Sequence, residues 1–243
     1  MSDEWDFYAL LVDGEPASIF VDMGIAKSAP IAGYSRMGYL RVRMLRPLEN
    51  GLSSQEEYDD LVALEDSVAE TITDGGKAIY VGHNTSSGIR ELYFYVRGTS
   101  FEQDATAAMA SWPQYQFDCG SRPDEAWSSY WNFLYPSEAD RQRMLNREVF
   151  KALKARGDDL QLPRQIDHFA YFKTDAVRNA FASFVWRKGF TVGPMSTSLR
   201  DTLSITFHRL DRPDDINDIT VELDRTARQH GGDYDGWESP VTG

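Results

Sequence analysis

Cysteine is nearly absent. Cys119 stands alone among 243 residues, which excludes an internal disulfide and any metal site built from several thiolates. No apolar run approaches the roughly 18 residues needed to cross a bilayer. The opening residues Met1-Ser2-Asp3-Glu4-Trp5 are acidic and lack the basic stretch of a secretory signal. There is no glycine-rich phosphate loop and no Gly-x-Ser-x-Gly elbow. These absences predict a cytoplasmic protein that does not engage membranes and carries no cofactor. Positive charge is also scarce in the first half. Residues 1–135 hold 9 Lys and Arg against 21 Asp and Glu, a net of −12, whereas residues 136–243 hold 16 against 17, a net of −1. An acidic surface repels phosphate backbones and attracts basic proteins. Direct nucleic-acid binding is not expected, and a basic protein partner is.

What is present reads as two α+β units with the same order of elements. In the first, Trp5 to Val12 and Ala17 to Val21 alternate around Asp13-Gly14-Glu15-Pro16, a hairpin signal. Gly38 to Arg46 follows as a strand, with Tyr39, Arg41 and Arg43 on one face and Leu40, Val42 and Met44 on the other. Ser53 or Ser54 caps a helix whose apolar stripe of Leu61, Leu64 and Val68 is interrupted by Glu65. Lys77 to His83 and Ile89 to Val96 form a hairpin, Phe101 to Trp112 a helix, and Tyr115 to Cys119 a closing strand. Residues 120–135 mark the boundary, yet Trp127, Tyr130, Trp131, Phe133 and Tyr135 make them too aromatic for a flexible linker. They are expected to pack on a domain or to form a contact surface.

The second unit, 136–243, opens with a helix from Ser137 to Arg156. Strand Arg164 to Phe172, helix Ala176 to Arg187, strands Phe190 to Met195 and Thr202 to Leu210, a helix begun by Pro213, and a last strand after Gly232 complete it. The expected fold is therefore α+β: two ferredoxin-like βαββαβ units, antiparallel sheets with helices on one face, the first with an extra hairpin in front.

Several constellations could carry chemistry. His168 with His208 or His230 and Asp233 or Asp235 has metal-ligand residue types, but the spacing matches no metal motif and a satisfied sheet histidine is the simpler reading. Asp233, Asp235 and Glu238, with Asp158 and Asp159 after the Gly157 helix stop, could do acid–base work. No nucleophile accompanies them, and a recognition surface beside Tyr234 and Trp237 fits better. Asp118 next to Cys119 disfavours a thiolate, so Cys119 reads as a half-buried strand residue. Arg36, Arg41, Arg43 and Arg46 form a basic stripe on an exposed sheet face with compensating charge, or one that meets an anion.

Three stretches of the second unit carry a resemblance. Leu153-Lys154-Ala155-Arg156-Gly157-Asp158-Asp159-Leu160, Pro163-Arg164-Gln165-Ile166-Asp167-His168-Phe169 and Gly231-Gly232-Asp233-Tyr234-Asp235-Gly236-Trp237-Glu238 resemble the regulator of ribonuclease activity B family. That resemblance implies a ferredoxin-like fold, no catalytic activity, and binding to the scaffold part of the endoribonuclease E. The first unit is similar to the bacterial domain of unknown function 695 family, through Trp5 to Tyr8, Ala17-Ser18-Ile19, Asn50-Gly51-Leu52, Leu64-Glu65-Asp66 and Arg90-Glu91-Leu92-Tyr93-Phe94-Tyr95. That family brings no activity with it.

The expectation is a non-enzymatic protein-binding module that inhibits an endoribonuclease such as ribonuclease E, with Asp158, Asp159, Asp233, Tyr234, Asp235 and Glu238 at the interface. The alternative is an enzyme or a small-ligand or metal-binding protein with its site at the boundary between the units. Trp237 is expected to anchor the last strand against the helices rather than to read a partner.

Overall fold

The computed structural model describes residues 2–197 and 202–243. The chain divides into two compact units, Met1–Pro136 and Ser137–Gly243. In the first, the order is β1 (Trp5–Val12), β2 (Glu15–Asp22), β3 (Arg36–Arg43), α1 (Gln55–Thr73), β4 (Ala78–Ser86), β5 (Ile89–Val96), α2 (Phe101–Met109) and β6 (Phe117–Pro123). The sheet runs β1-β2-β4-β5-β3-β6, with every pair antiparallel. Without the hairpin this is the ferredoxin-like arrangement, with β1 and β2 extending the sheet beyond β4.

Strand boundaries moved where side chains intervened. β3 leaves the ladder at Arg43 because the buried Glu57 carboxylate accepts the Leu45 and Arg46 amides at 2.7 and 2.6 Å. α2 stops at Met109, ahead of Trp112, which precedes Pro113 and is biased away from helix. β6 starts later and runs longer than expected, to Pro123, because Tyr115 is pulled into the core instead of the ladder.

Alternation sorts the sheet into two faces. Leu40, Val42, Leu92, Phe94 and Val96 meet Leu61, Leu64, Val68 and Ile72 of α1 and Phe101 and Met109 of α2. The opposite face carries Tyr93 and Tyr95, and here the aromatic segment lies. Trp127 is fully buried, stacks on Tyr95 at 3.8 Å and 6°, and donates its Nε1–H to the Tyr34 carbonyl. Phe133 packs on Tyr93, and the turn Tyr130–Leu134 buries Tyr130 and Leu134. Asp124 holds the segment in place by accepting the Ser128 and Ser129 amides and the Tyr95 hydroxyl. Residues 124–134 thus form a lid on the first unit's sheet.

The second unit comprises α3 (Glu138–Lys154), β7 (Arg164–Phe172), α4 (Asp175–Arg187), β8 (Thr191–Thr197), β9 (Leu203–Asp211), α5 (Ile216–Gln229) and β10 (Asp233–Glu238). The sheet order β10-β7-β9-β8 is again ferredoxin-like. Ser137 caps α3 by accepting the Asp140 amide, and Thr174 caps α4 by accepting that of Val177. One core joins Phe172, Phe181, Val185, Phe207 and Leu223. A second joins Leu153 of α3 to Ile166, Ile216 and Trp237.

Candidate functional site

The second unit's last strand is built by its glycines. Gly231, at φ +68°, ends α5, and Gly232 passes so close to Phe172 that a Cβ there would lie 2.2 Å from its ring. β10 then pairs with β7, and the register slips between Tyr234 and Gly236, where φ is +105°. This bulge decides the site. Residues three apart face opposite ways on a regular strand, but the extra residue turns both Tyr234 and Trp237 inward. Trp237 is 8 % exposed and donates Nε1–H to Asn146 Oδ1 of α3 at 2.9 Å. It anchors the strand, as expected.

Two of the expected interface residues have inward side chains. Tyr234 is buried, its hydroxyl 2.8 Å from His168 Nδ1. Asp158 is buried in an ion pair with Arg164 at 2.6 Å and also accepts the Thr242 amide at 2.7 Å. It therefore ties the turn after α3 to β7 and to the C-terminal tail rather than facing outward, because an unpaired Arg164 at this depth would carry a desolvation penalty. Asp159, Asp233, Asp235 and Glu238 are exposed.

His168 is wholly buried and stacks on Phe207 at 5.3 Å and 14°. Burial, with a smaller contribution from Arg209, pushes its pKa down to about 3, so the ring is neutral at physiological pH. Its Nε2 is buried with no hydrogen-bond partner among the described residues. Among the described residues no group of three His, Cys, Asp or Glu side chains is arranged to hold a metal ion.

The sheet face away from the helices alternates with this interior. On β7 it presents Gln165, Asp167, Phe169 and Tyr171; on β9, Ser204, Thr206, His208 and Leu210; on β10, Asp233 and Glu238, with Asp235 exposed at the bulge. None of these positions is Lys or Arg, although the unit as a whole has nearly balanced charge. Phe169 and Tyr171 are half-buried and Leu210 is 69 % exposed. In the first unit the aromatic lid covers the corresponding face around Tyr93 and Tyr95.

The first unit holds two polar clusters that sequence reasoning saw only in part. Glu65, the intrusion in the α1 stripe, accepts the Tyr80 hydroxyl at 2.6 Å, lies 3.0 Å from His83 Nδ1 and pairs with buried Arg90 at 3.2 Å. Burial alone would raise its pKa, but these neighbours together hold it below the ordinary carboxylate value. The second cluster lines a cleft of about 720 Å³ whose wall includes Tyr39, Arg41, Tyr93, Gly120, Arg122 and Phe133. The expected basic stripe is divided. Arg36 lies on the helix side and donates to Ser121, Arg41 and Arg43 lie on the opposite face, and Arg46 turns to Glu56 and Asp60. Arg122, from another strand, joins Arg41 in the cleft; only strand pairing brings them together. Cys119, also on that wall, is half-buried, and burial raises its thiol pKa.

Comparison with known proteins divides the chain in the same way as the residues do. The family described as "Family of unknown function (DUF695)" matches residues 3–135, and the family described as "Regulator of ribonuclease activity B" matches residues 143–239. Both resemblances read from the sequence are thereby borne out. A solved structure of a candidate glycine cleavage system transcriptional repressor is similar at 9% identity, over 85% of this chain and 98% of that one. Its TM-score of 0.26 is too low to carry an argument. No curated protein matches the chain.

Proposed function

This chain belongs to the DUF695 family through residues 3–135 and matches the ribonuclease-regulator family over 143–239, and from that premise we propose that it is a non-enzymatic regulator that binds and inhibits an endoribonuclease such as ribonuclease E. The observation that carries this reading is the open sheet face of the second unit. Asp167, Asp233, Glu238 and the bulged Asp235 converge there without a lysine or arginine among the face positions. Such a face favours a basic segment and disfavours a phosphate backbone. Phe169, Tyr171 and Leu210 supply apolar area between the carboxylates, the kind of contact that dominates binding energy. Asp159 extends the acidic rim, while Asp158 and Tyr234 act from beneath by fixing the turn and the strand that display it.

The full chain should bind the basic scaffold region of ribonuclease E and slow its cleavage of RNA. A triple Asp233→Asn, Asp235→Asn, Glu238→Gln variant should bind at least tenfold more weakly with an unchanged melting temperature. Calorimetric titration of the two proteins against that region decides the matter. Equal affinities for parent and variant would remove the face from the mechanism, and no binding by the parent would remove the ribonuclease reading itself.

A further inference from the structure

We infer that the cleft on the first unit's sheet is a binding site for a small aromatic carboxylate. The site lies within the first unit and does not depend on the ribonuclease reading. Its volume of about 720 Å³ falls in the range of small-molecule sites, roughly 300–1,000 Å³.

The charges on its wall decide what it takes. The Glu91 carboxylate is already engaged: it pairs with Arg41 Nε at 3.1 Å and holds the Tyr93 phenol. The Glu102 carboxylate is matched through a relay, since Arg36 donates to Ser121 Oγ at 3.1 Å and that hydroxyl donates to Glu102 at 2.8 Å. Arg122 remains. It donates to the Ser129 hydroxyl at 3.1 Å, and among the described residues no carboxylate pairs with it. One cation without a counter-charge, in a unit that is otherwise strongly acidic, calls for one anionic group. A guanidinium fork donates two parallel hydrogen bonds to a carboxylate.

The rest of the wall is aromatic. Tyr39, Tyr93 and Phe133 face the cleft, with Phe133 and Tyr93 centroids 5.7 Å apart. The Arg41 guanidinium sits 4.7 Å over the Tyr39 ring and pairs through Nε with Glu91 at 3.1 Å, so it is held in place on the wall. Gly120 makes room for this arrangement: a Cβ there would lie 2.7 Å from the Tyr39 hydroxyl. A flat ring packed against these aromatics, with its carboxylate on Arg122, satisfies both features of the wall.

The test is titration of the full chain with benzoate and 4-hydroxybenzoate, with benzamide and inorganic phosphate as comparators, followed by calorimetry or ligand-observed NMR. Both carboxylates should bind saturably, and benzamide and phosphate at least tenfold more weakly. Arg122→Gln, at an exposed position, should weaken benzoate at least tenfold, whereas Arg46→Gln, outside the cleft, should leave it unchanged. Gly120→Ala should weaken it by displacing Tyr39. If Arg122→Gln loses its native melting transition, Arg122→Lys, which keeps the charge without the fork, carries the comparison and should still weaken binding. Absence of saturable carboxylate binding, indifference to the Arg122 substitutions, or phosphate binding as tight as benzoate would each overturn the assignment.

Discussion

At the scale of single residues, Trp237 ties the second unit's sheet to α3, whereas His168 sits within the sheet against Phe207 and Tyr234. Trp237 fills space against Leu153, Ile166 and Ile216 and satisfies its one donor on Asn146. Trp237→Ala leaves a cavity and removes one of the two hydrogen bonds that Asn146 Oδ1 accepts, the other coming from Gln142 at 3.1 Å, and should destabilise the unit by about 3–5 kcal/mol. Asp233→Asn and Asp235→Asn, at exposed positions, should change stability by less than about 0.5 kcal/mol. Urea titration of the three variants distinguishes these outcomes. His168 makes stability depend on pH. Its folded pKa of about 3 lies below the ordinary imidazole value of 6.5, so the unfolded chain takes up the proton first. Stability is full above pH 6.5 and should fall by about 1.4 kcal/mol per unit as pH drops from there toward 3. His168→Leu should flatten that slope between pH 6 and 4.5, and parallel slopes for parent and variant would show that the histidine does not control it.

At the scale of elements, the bulge in β10 does what neither neighbouring residue could do alone. Gly236 has open space around its Cα, so Gly236→Ala meets no steric clash; its penalty is the backbone strain of φ +105°. That strain is of order 1–3 kcal/mol for a residue with a side chain. The variant should either lose about that much stability or relax the bulge and turn Trp237 outward. Tryptophan emission should shift to the red in the second case and remain unchanged in the first. The lid of the first unit is a comparable device. Its order rests on Asp124 and on Trp127 stacked against Tyr95, so Trp127→Ala should open residues 124–134 to proteolysis and destabilise the first unit by about 3–5 kcal/mol.

At the scale of the whole molecule, charge is distributed unevenly on two levels. The first unit carries nearly all of the net charge of −13, and within the second the open sheet face carries Asp167, Asp233, Asp235 and Glu238 with no lysine or arginine at the face positions of β7, β9 and β10. Long-range charge acts mainly on the rate of encounter, and close contacts act on dissociation. Raising salt from about 50 to about 500 mM should therefore slow association with a basic partner more than tenfold and change dissociation by less than threefold. Real-time binding measurements at the two salt concentrations would check the split. A salt-independent association rate would show that the acidity serves solubility alone.

The order of elements in both units was legible in the sequence because alternation and helical period report which face is buried, and every helix or strand buries a continuous face. Leu40, Val42 and Met44 against Tyr39, Arg41 and Arg43 sort as the pattern requires. The helix start at Ser137, the turn glycines and the acidic first half are local properties, and they needed no partner to be read. The tertiary structure alone decided what depends on pairing across the sheet. Glu65 is an error in a helical stripe until Arg90, His83 and Tyr80 arrive from β4 and β5. Asp158 looks like a solvated turn residue until Arg164 meets it. Arg122 joins Arg41 because β6 pairs with β3, a contact that spans some eighty residues and leaves no local trace. Periodicity shows which way a side chain points; only the register of the sheet determines which other side chain it meets there.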